Sequence, residues 1–407
     1  MIIYSQQGVN DNMVTRKDIE HLFDRGSFME MEKSRGSSVV TGYGRIGDRM
    51  VYAFLQDSEK EGGAFSVAAA SKIIDVYKLA LKAKVPVVGL LDSTGYLIDE
   101  GAEALNAFSE VYAFANTARE SILQIMIVGG KCMGQMVSLA STADFFFRDM
   151  EMSEAFEKTK ELIKVMPPAK GILPEQFDTS DDLNRLNTGI EKLVDSGRDV
   201  LKEISDDGFL LETDQDKAPE LTTGFIKING LMVAAMANNK TEKGSRVSLE
   251  GLDKARKLVE TAGKFKLGLV KISNTEGIAL TEDQNMMVSA SGKLWDAFTK
   301  AKVPMIDVIT GSVVGGAYSL FNGRGTSTDL TFAWKTAKVN IIGARQAAEI
   351  LYGPLDPSNV EQKTAEYENT HSIAEVLEEK GLVDKVIEPE ETRKYLAGAL
   401  ETYANVF

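Results

Sequence analysis

Backbone N–H groups, more than side chains, are the parts of this 407-residue chain placed to do chemistry. From Ile306 to Trp334 the sequence runs IDVITGSVVGGAYSLFNGRGTSTDLTFAW. An apolar strand over Ile306 to Ile309 enters a loop rich in Gly and Ser, and a helix opens at Gly315-Gly316-Ala317-Tyr318. A buried strand that passes through glycines into a helix start leaves free N–H groups facing one point. Glycine lets a ligand come close to the main chain, and the helix dipole favours negative charge there. That arrangement suits an oxyanion hole, which stabilises charge as it develops on an oxygen. The plain alternative is an ordinary tight strand-to-helix turn, because a Gly pattern alone is a weak signal.

Side-chain chemistry is short of parts. The chain has two histidines, His21 and His371, and one cysteine, Cys132. A zinc site of His and Cys, a Cys–His pair or a Ser–His–Asp triad is therefore disfavoured, and no metal is expected. His21 and His371 read as surface or capping residues, and Cys132 as a small buried hydrophobe. A lone cysteine excludes an internal disulfide framework and fits a reducing cytoplasm. The net charge of −14 argues against nucleic-acid binding. No apolar run is long enough to span a bilayer, so the chain is not expected to be membrane-embedded. An enzyme so composed would rely on backbone groups or a cofactor.

The elements that must position these groups recur. Ser66 to Ala83 has helical periodicity, and Pro86 starts a strand, Val87 to Leu91, that empties into Asp92-Ser93-Thr94-Gly95. A helix from Glu100 to Arg119 leads to a strand, Ile122 to Val128, that empties into Gly129-Gly130-Lys131-Cys132-Met133-Gly134-Gln135. The same order returns 182 residues later. Asp24, Gly26 and Glu30 match Asp206, Gly208 and Glu212. Thr41-Gly42 matches Thr223-Gly224, and Gly62, Ser66, Lys72 and Gly95 match Gly244, Ser248, Lys254 and Gly277. A fixed offset over more than a hundred residues marks a duplicated domain. Each copy alternates strand, Gly-bearing loop and helix, the pattern of α/β units. The expected division is 1–150, a helical connecting region 151–205, and 206–407. Residues 1–15 read as poorly ordered and Asp356 to Thr370 as a polar loop. A helix over Ile373 to Lys380, a strand over Val383 to Ile387 and a terminal helix from Glu391 close the chain. Two Gly loops could face two ligands toward each other, and a thioester enolate is one guest whose oxygen becomes anionic.

These residues also carry a family resemblance. LFDRGSF at 22–28, TGYGRI at 41–46, GGAFS at 62–66, VPVVGLLDSTG at 85–95, DEG at 99–101, CMGQ at 132–135 and ADF at 143–145 lie in the first copy. VITGSVVGGAY at 308–318, FAW at 332–334, TAKVNIIGARQAAEIL at 336–351 and GLVDKVIEPEETR at 381–393 lie in the second. Together they resemble the carboxyltransferase subunit of biotin-dependent acyl-CoA carboxylases of the propionyl-CoA and methylmalonyl-CoA type, and the related decarboxylase α subunits. The resemblance implies tandem duplicated crotonase-like domains, each a ββα superhelix, in a dimer or trimer of dimers. It implies an active site where the first domain of one subunit meets the second domain of another. It assigns Gly316 and Ala317 N–H, with Gly315, to the biotin ureido oxygen, and Gly134 and Gln135 to the thioester oxygen. It places Ser93, Thr94, Gly95, Tyr318 and Ser319 around the acyl-CoA. The reaction implied moves CO2 between carboxybiotin and an acyl-CoA enolate, in either direction. Biotin would come on a separate carrier protein, with biotin carboxylase or membrane decarboxylase subunits as further partners, because this chain has no Met-Lys-Met biotinylation site.

The departures from the family pattern concern the same residues. Gln135 stands where a second glycine is usual, which keeps an N–H and adds bulk. Ser319 replaces the aspartate of GGAYD, a position that lines the acyl pocket, and so implies a different acyl preference. The DSGGAR stretch is here Asp92 to Leu97, with a glycine and the arginine lost, and DVPGF is Ser273 to Ile278. After Ala143-Asp144-Phe145 the chain passes almost directly to the connecting helices, without several dozen residues that help cover acyl-CoA in relatives. That shortening leaves three alternatives open: a smaller lid, an acyl-protein substrate or lost catalysis. The alternative expectation is accordingly a non-catalytic or half-site paralogue that pairs with a full-length carboxyltransferase subunit. A hydratase or isomerase without biotin is a third, lacking a clear carboxylate pair.

Overall fold

Ser66 and Ser248 each cap a helix, and from those caps onward the chain builds nearly the same structure twice. The structure, a computed structural model, describes residues 13–31, 36–130, 132, 135–148, 150–279 and 283–403. It forms two compact units, residues 1–173 and 174–407. In the first, helix α1 (Arg16–Leu22) precedes an antiparallel meander of β1 (Met29–Met31), β2 (Val39–Ile46) and β3 (Arg49–Gln56). Helix α2 (Val67–Ala83) leads to β4 (Val87–Leu91), α3 (Ala102–Arg119) to β5 (Gln124–Val128), and the short α4 (Gln135–Ser138) to β6 (Phe145–Arg148). These three strands add in parallel to give the order β1-β2-β3-β4-β5-β6, and α5 (Met152–Val165) follows.

The second unit opens with α6 (Gly197–Ile204). Its meander is β7 (Leu210–Thr213), β8 (Leu221–Ile228) and β9 (Leu231–Asn238). Then come α7 (Leu249–Phe265), β10 (Leu269–Thr275), α8 (Gln284–Ala301), β11 (Met305–Val314) and β12 (Leu330–Trp334). A strand β13 (Lys338–Asn340) pairs with the end of β11. Helices α9 (Ala344–Tyr352), α10 (Val360–His371) and α11 (Ala374–Glu379), strand β14 (Lys385–Ile387) and helix α12 (Thr392–Tyr403) complete it.

Every residue of β4 and β5 is buried, as in strands covered on both faces, which read as apolar runs instead of alternating. The 182-residue offset holds for β2 and β8, β3 and β9, α2 and α7, and α3 and α8. It also holds for hydrogen bonds. Ser66 Oγ accepts from Ala69 N–H at 3.1 Å, and Ser248 Oγ from Gly251 N–H at 3.1 Å. Lys72 Nζ donates to Val39 O at 2.8 Å, and Lys254 Nζ to Leu221 O at 2.8 Å. Helices α2 and α7 both end on a left-handed lysine, Lys84 at φ 55° and Lys266 at φ 57°. What was duplicated is therefore a hydrogen-bond scheme as much as a hydrophobic pattern.

Three expectations need revision. Residues 360–371 are a helix, not a polar loop. Tyr367 is its one buried residue, so α10 shows no apolar periodicity. Good helix formers (Glu, Gln, Lys, Ala) and the Lys363–Glu366 pair at 2.7 Å support it instead. Strand β11 continues past Ile309 to Val314, because Ser312–Val314 pair with Lys338–Asn340. Gly311 and Ser312, expected in a loop, are strand. The expectation of poor order over 1–15 lies outside the described residues for 1–12, but Val14 is buried, its N–H donating to Asp92 Oδ2 at 2.9 Å, and Thr15 caps α1. Among the described residues, no helix is long and apolar enough to cross a membrane.

Candidate functional site

The long β11 delivers the chain to Gly315, whose left-handed φ of 64° turns it into a helix. Gly315 N–H is taken by Asn340 O at 2.8 Å, and Tyr318 N–H returns to Gly315 O at 3.1 Å. Between them, no hydrogen bond among the described residues takes the N–H of Gly316 or Ala317. These two residues start the helix and Tyr318–Asn322 wind on as a π-helix, so the free donors are those expected of a first helical turn. Gly316 is open: a Cβ there would meet only Ile278 Cδ1, at 3.9 Å. Ser319 is exposed, its carbonyl accepting from Trp295 Nε1–H at 3.3 Å. Burial raises the pKa of Tyr318, and nearby Asp307 adds to the rise, so the phenol stays neutral.

Beneath this helix lies a polar cluster that the sequence did not flag. Lys271 Nζ donates to Phe321 O, to Ser327 O at 2.6 Å and to Thr328 Oγ1 at 2.5 Å. Asp307 accepts from Ser273 Oγ at 2.7 Å and from Asn322 Nδ2, which also reaches Ser273 Oγ at 2.9 Å. The available signal was a charged residue inside each of two otherwise apolar strand starts, 269–272 and 305–309.

In the first unit the expected loop residues come together around Tyr96. Ser93 Oγ accepts from Gly95 N–H at 3.1 Å. The second unit repeats this turn, with Thr275 Oγ1 accepting from Gly277 N–H at 3.2 Å. Phe65 N–H donates to Gly95 O at 2.8 Å, as Val247 N–H does to Gly277 O at 2.9 Å. Thr94 N–H donates to Gly62 O at 3.0 Å. Tyr96 stands edge-on to Phe65 and Phe108, and its hydroxyl donates to Gln135 Oε1 at 2.5 Å. Gln135 begins α4; Gly134 lies outside the described residues. Burial pushes the Cys132 thiol up to about 11, so it stays protonated and unreactive at neutral pH. His21 and His371 are exposed in the last turns of α1 and α10, far in sequence from either loop.

Two repeats of parallel α/β structure, each an antiparallel meander extended by parallel strands with intervening helices, define a protein of the tandem crotonase-like class. More particularly, the chain belongs to the carboxyl transferase domain family, whose pattern matches residues 7–156 and 148–406, and it is a carboxyltransferase. It is 27% identical to the propionyl-CoA carboxylase beta chain of Roseobacter denitrificans over 463 aligned positions, covering 97% of this chain and 91% of that one. It is 27% identical to methylmalonyl-CoA decarboxylase subunit alpha of Veillonella parvula, covering 98% of this chain and 92% of that one. The alignment with the Roseobacter chain exceeds the 407 residues present here, so that relative carries segments this chain lacks. Among solved structures it superposes on the transcarboxylase 12S hexamer bound to hydrolysed methylmalonyl-CoA, with TM-score 0.89 and 25% identity over 96% of this chain and 90% of that one. A single-chain long-chain acyl-CoA carboxylase shares the fold, with TM-score 0.79 and 18% identity over 95% of this chain and 46% of that one.

Proposed function

We propose that this chain transfers CO2 between biotin and a small acyl-CoA of the propionyl-CoA or methylmalonyl-CoA class. The observation that carries the reading is the pair of uncommitted N–H groups at Gly316 and Ala317, on a glycine with room for a ligand to approach. Carboxybiotin, when bound, would supply the CO2 and a base for the acyl α-proton. Gly316 and Ala317 would hold it by donating their N–H groups to its ureido oxygen, which stabilises negative charge there. Gly134 and Gln135 N–H donate to the thioester oxygen and so stabilise the enolate at the acyl α-carbon. Ser93, Thr94 and Gly95 line the acyl-CoA site from the first unit, and Tyr318 and Ser319 from the second. Ser319, in place of an aspartate, makes this wall of the acyl pocket smaller and uncharged and so shifts the acyl preference from that of relatives with the aspartate. Side chains supply shape and orientation, and backbone donors supply most of the transition-state stabilisation.

The site on this reading is shared between copies of the chain, in a dimer or a trimer of dimers, a reading that the hexamer assembly of transcarboxylase 12S supports. A biotin carrier protein comes from another chain, together with a biotin carboxylase or membrane decarboxylase subunits, and the work is cytoplasmic. The test is calorimetric binding of acetyl-, propionyl-, malonyl- and methylmalonyl-CoA to the purified chain, then decarboxylation of each binder with free biotin. Binding with turnover, lost in Gly316→Pro, is the expected result. Absence of binding by the chain alone overturns it in favour of a half-site paralogue, and co-purification in equal amounts with a longer homologue would identify its partner.

A further inference from the structure

The duplicated register lets one rung of each sheet be compared position by position. Across β3, β4 and β5 the rung is Phe54–Gly89–Met126. It is filled by apolar atoms, since a Cβ on Gly89 would lie 2.3 Å from Met126 Sδ and 2.5 Å from Phe54 Cζ. Across β9, β10 and β11 the same rung is Met236–Lys271–Asp307. Lys271 is 1% exposed and Asp307 0%. The first repeat makes this rung without charge, so the fold does not require the lysine and the aspartate.

Burying two ions is costly unless hydrogen bonds compensate, and their partners show what the charges hold. Lys271 reaches Phe321 O, near the end of the helix that starts at Gly316, and Ser327 and Thr328 in the segment returning from it. Asp307 takes Asn322, the helix's last residue, with Ser273 bridging. A cation at a helix C-terminus is also favoured by the dipole. Phe298 closes the cluster, its ring centroid 5.5 Å from Lys271 Nζ and packed edge-on to Phe321.

We propose that Lys271 and Asp307 are positioning residues that pin the C-terminal end of the Gly316–Asn322 helix to the sheet, and so fix where the Gly316 and Ala317 N–H groups point. The catalytic consequence rests on the functional reading above, because donors stabilise a developing oxyanion only when held in place beforehand. The anchor itself does not rest on that reading.

The test uses the full-length chain with Lys271→Met and with Lys271→Met/Asp307→Leu, an apolar pair that mimics the first repeat. Amide hydrogen exchange over 318–328 is expected to speed up at least tenfold, with α7 amides changing less than twofold. In the decarboxylation assay with free biotin, turnover should fall at least tenfold and the KM for biotin should rise. Unchanged exchange over 318–328, or α7 loosening equally, overturns the anchor. Faster exchange with unchanged turnover overturns its catalytic role. An inactive parent enzyme refutes the functional reading alone, and the exchange result still decides the anchor. If Lys271→Met, with Asp307 left uncompensated, does not fold, the double variant carries the test.

Discussion

The Tyr96 hydroxyl donates to Gln135 Oε1 at 2.5 Å, joining the Ser93–Gly95 turn to the start of α4. The side-chain amide of Gln135 is thus held by a phenol that Phe65 and Phe108 meet edge-on.

Removing that hydroxyl tests whether the restraint matters. Tyr96→Phe keeps the ring packing and frees the glutamine, at a cost of about 1 kcal/mol for one neutral hydrogen bond. The expected outcome is an acyl-CoA KM raised up to about fivefold with biotin KM unchanged, measured in the decarboxylation assay. A shift confined to biotin would show that Gln135 does not belong to the thioester side.

Gly316 and Gly315 should respond to substitution in opposite ways. Gly316→Ala meets only Ile278 at 3.9 Å and should keep activity within a few-fold. Gly316→Pro removes the donor and should lower kcat by about 10²–10³. Gly315→Ala must adopt φ 64° with Ile341 O at 3.1 Å from the new Cβ, and should cost about 1–2 kcal/mol of stability. Thermal unfolding beside steady-state kinetics separates the two effects; a stable Gly315→Ala enzyme would contradict the strain argument.

The repeat was legible because its punctuation is local. Ser66 and Ser248 cap, Gly95 and Gly277 turn, and Lys72 and Lys254 bond a strand carbonyl from matching positions. Helix α10 was not legible, because only Tyr367 is buried and a helix without an apolar stripe resembles a polar loop. The reach of β11 to Val314 was hidden too, since β13 supplies the pairing from two dozen residues away. Gly315, Gly316 and Ala317 could be picked out from the strand–glycine–helix order. Lys271 and Asp307 could not, because their meaning lies in a cross-strand rung that only the register reveals.

The duplicated caps give a matched pair of stability tests. Ser66→Ala and Ser248→Ala each remove one side-chain acceptor from a helix first turn, worth about 1 kcal/mol. Amide exchange in the first turns of α2 and α7 should therefore quicken by about fivefold, each in its own variant. Ser248 has a second role, donating to Glu220 Oε1 at 2.5 Å, so its loss should be the larger. Equal effects would mean that the Glu220 contact adds nothing.

The buried lysine makes a signed prediction about pH. Burial pulls Lys271 down to about 8 from 10.5, against the pull of Asp307 and Asp329. Between those two values the unfolded chain binds the proton that the folded chain has lost, so the lysine's contribution to stability rises with pH. Asp307 behaves differently: burial raises its pKa, so its contribution falls as pH rises from the ordinary carboxylate range toward that raised value. Both tryptophans, Trp295 and Trp334, lie in the second unit, and Trp334 is buried, so their fluorescence follows denaturant unfolding of the unit that holds the lysine. Compared with Lys271→Met/Asp307→Leu, the parent should gain at most about 1.4 kcal/mol per pH unit between pH 8 and 10. Surface amines titrate alike in both proteins and cancel in the difference. A difference that does not change with pH would show that Lys271 keeps its proton when buried, held by Asp307 more firmly than burial opposes it.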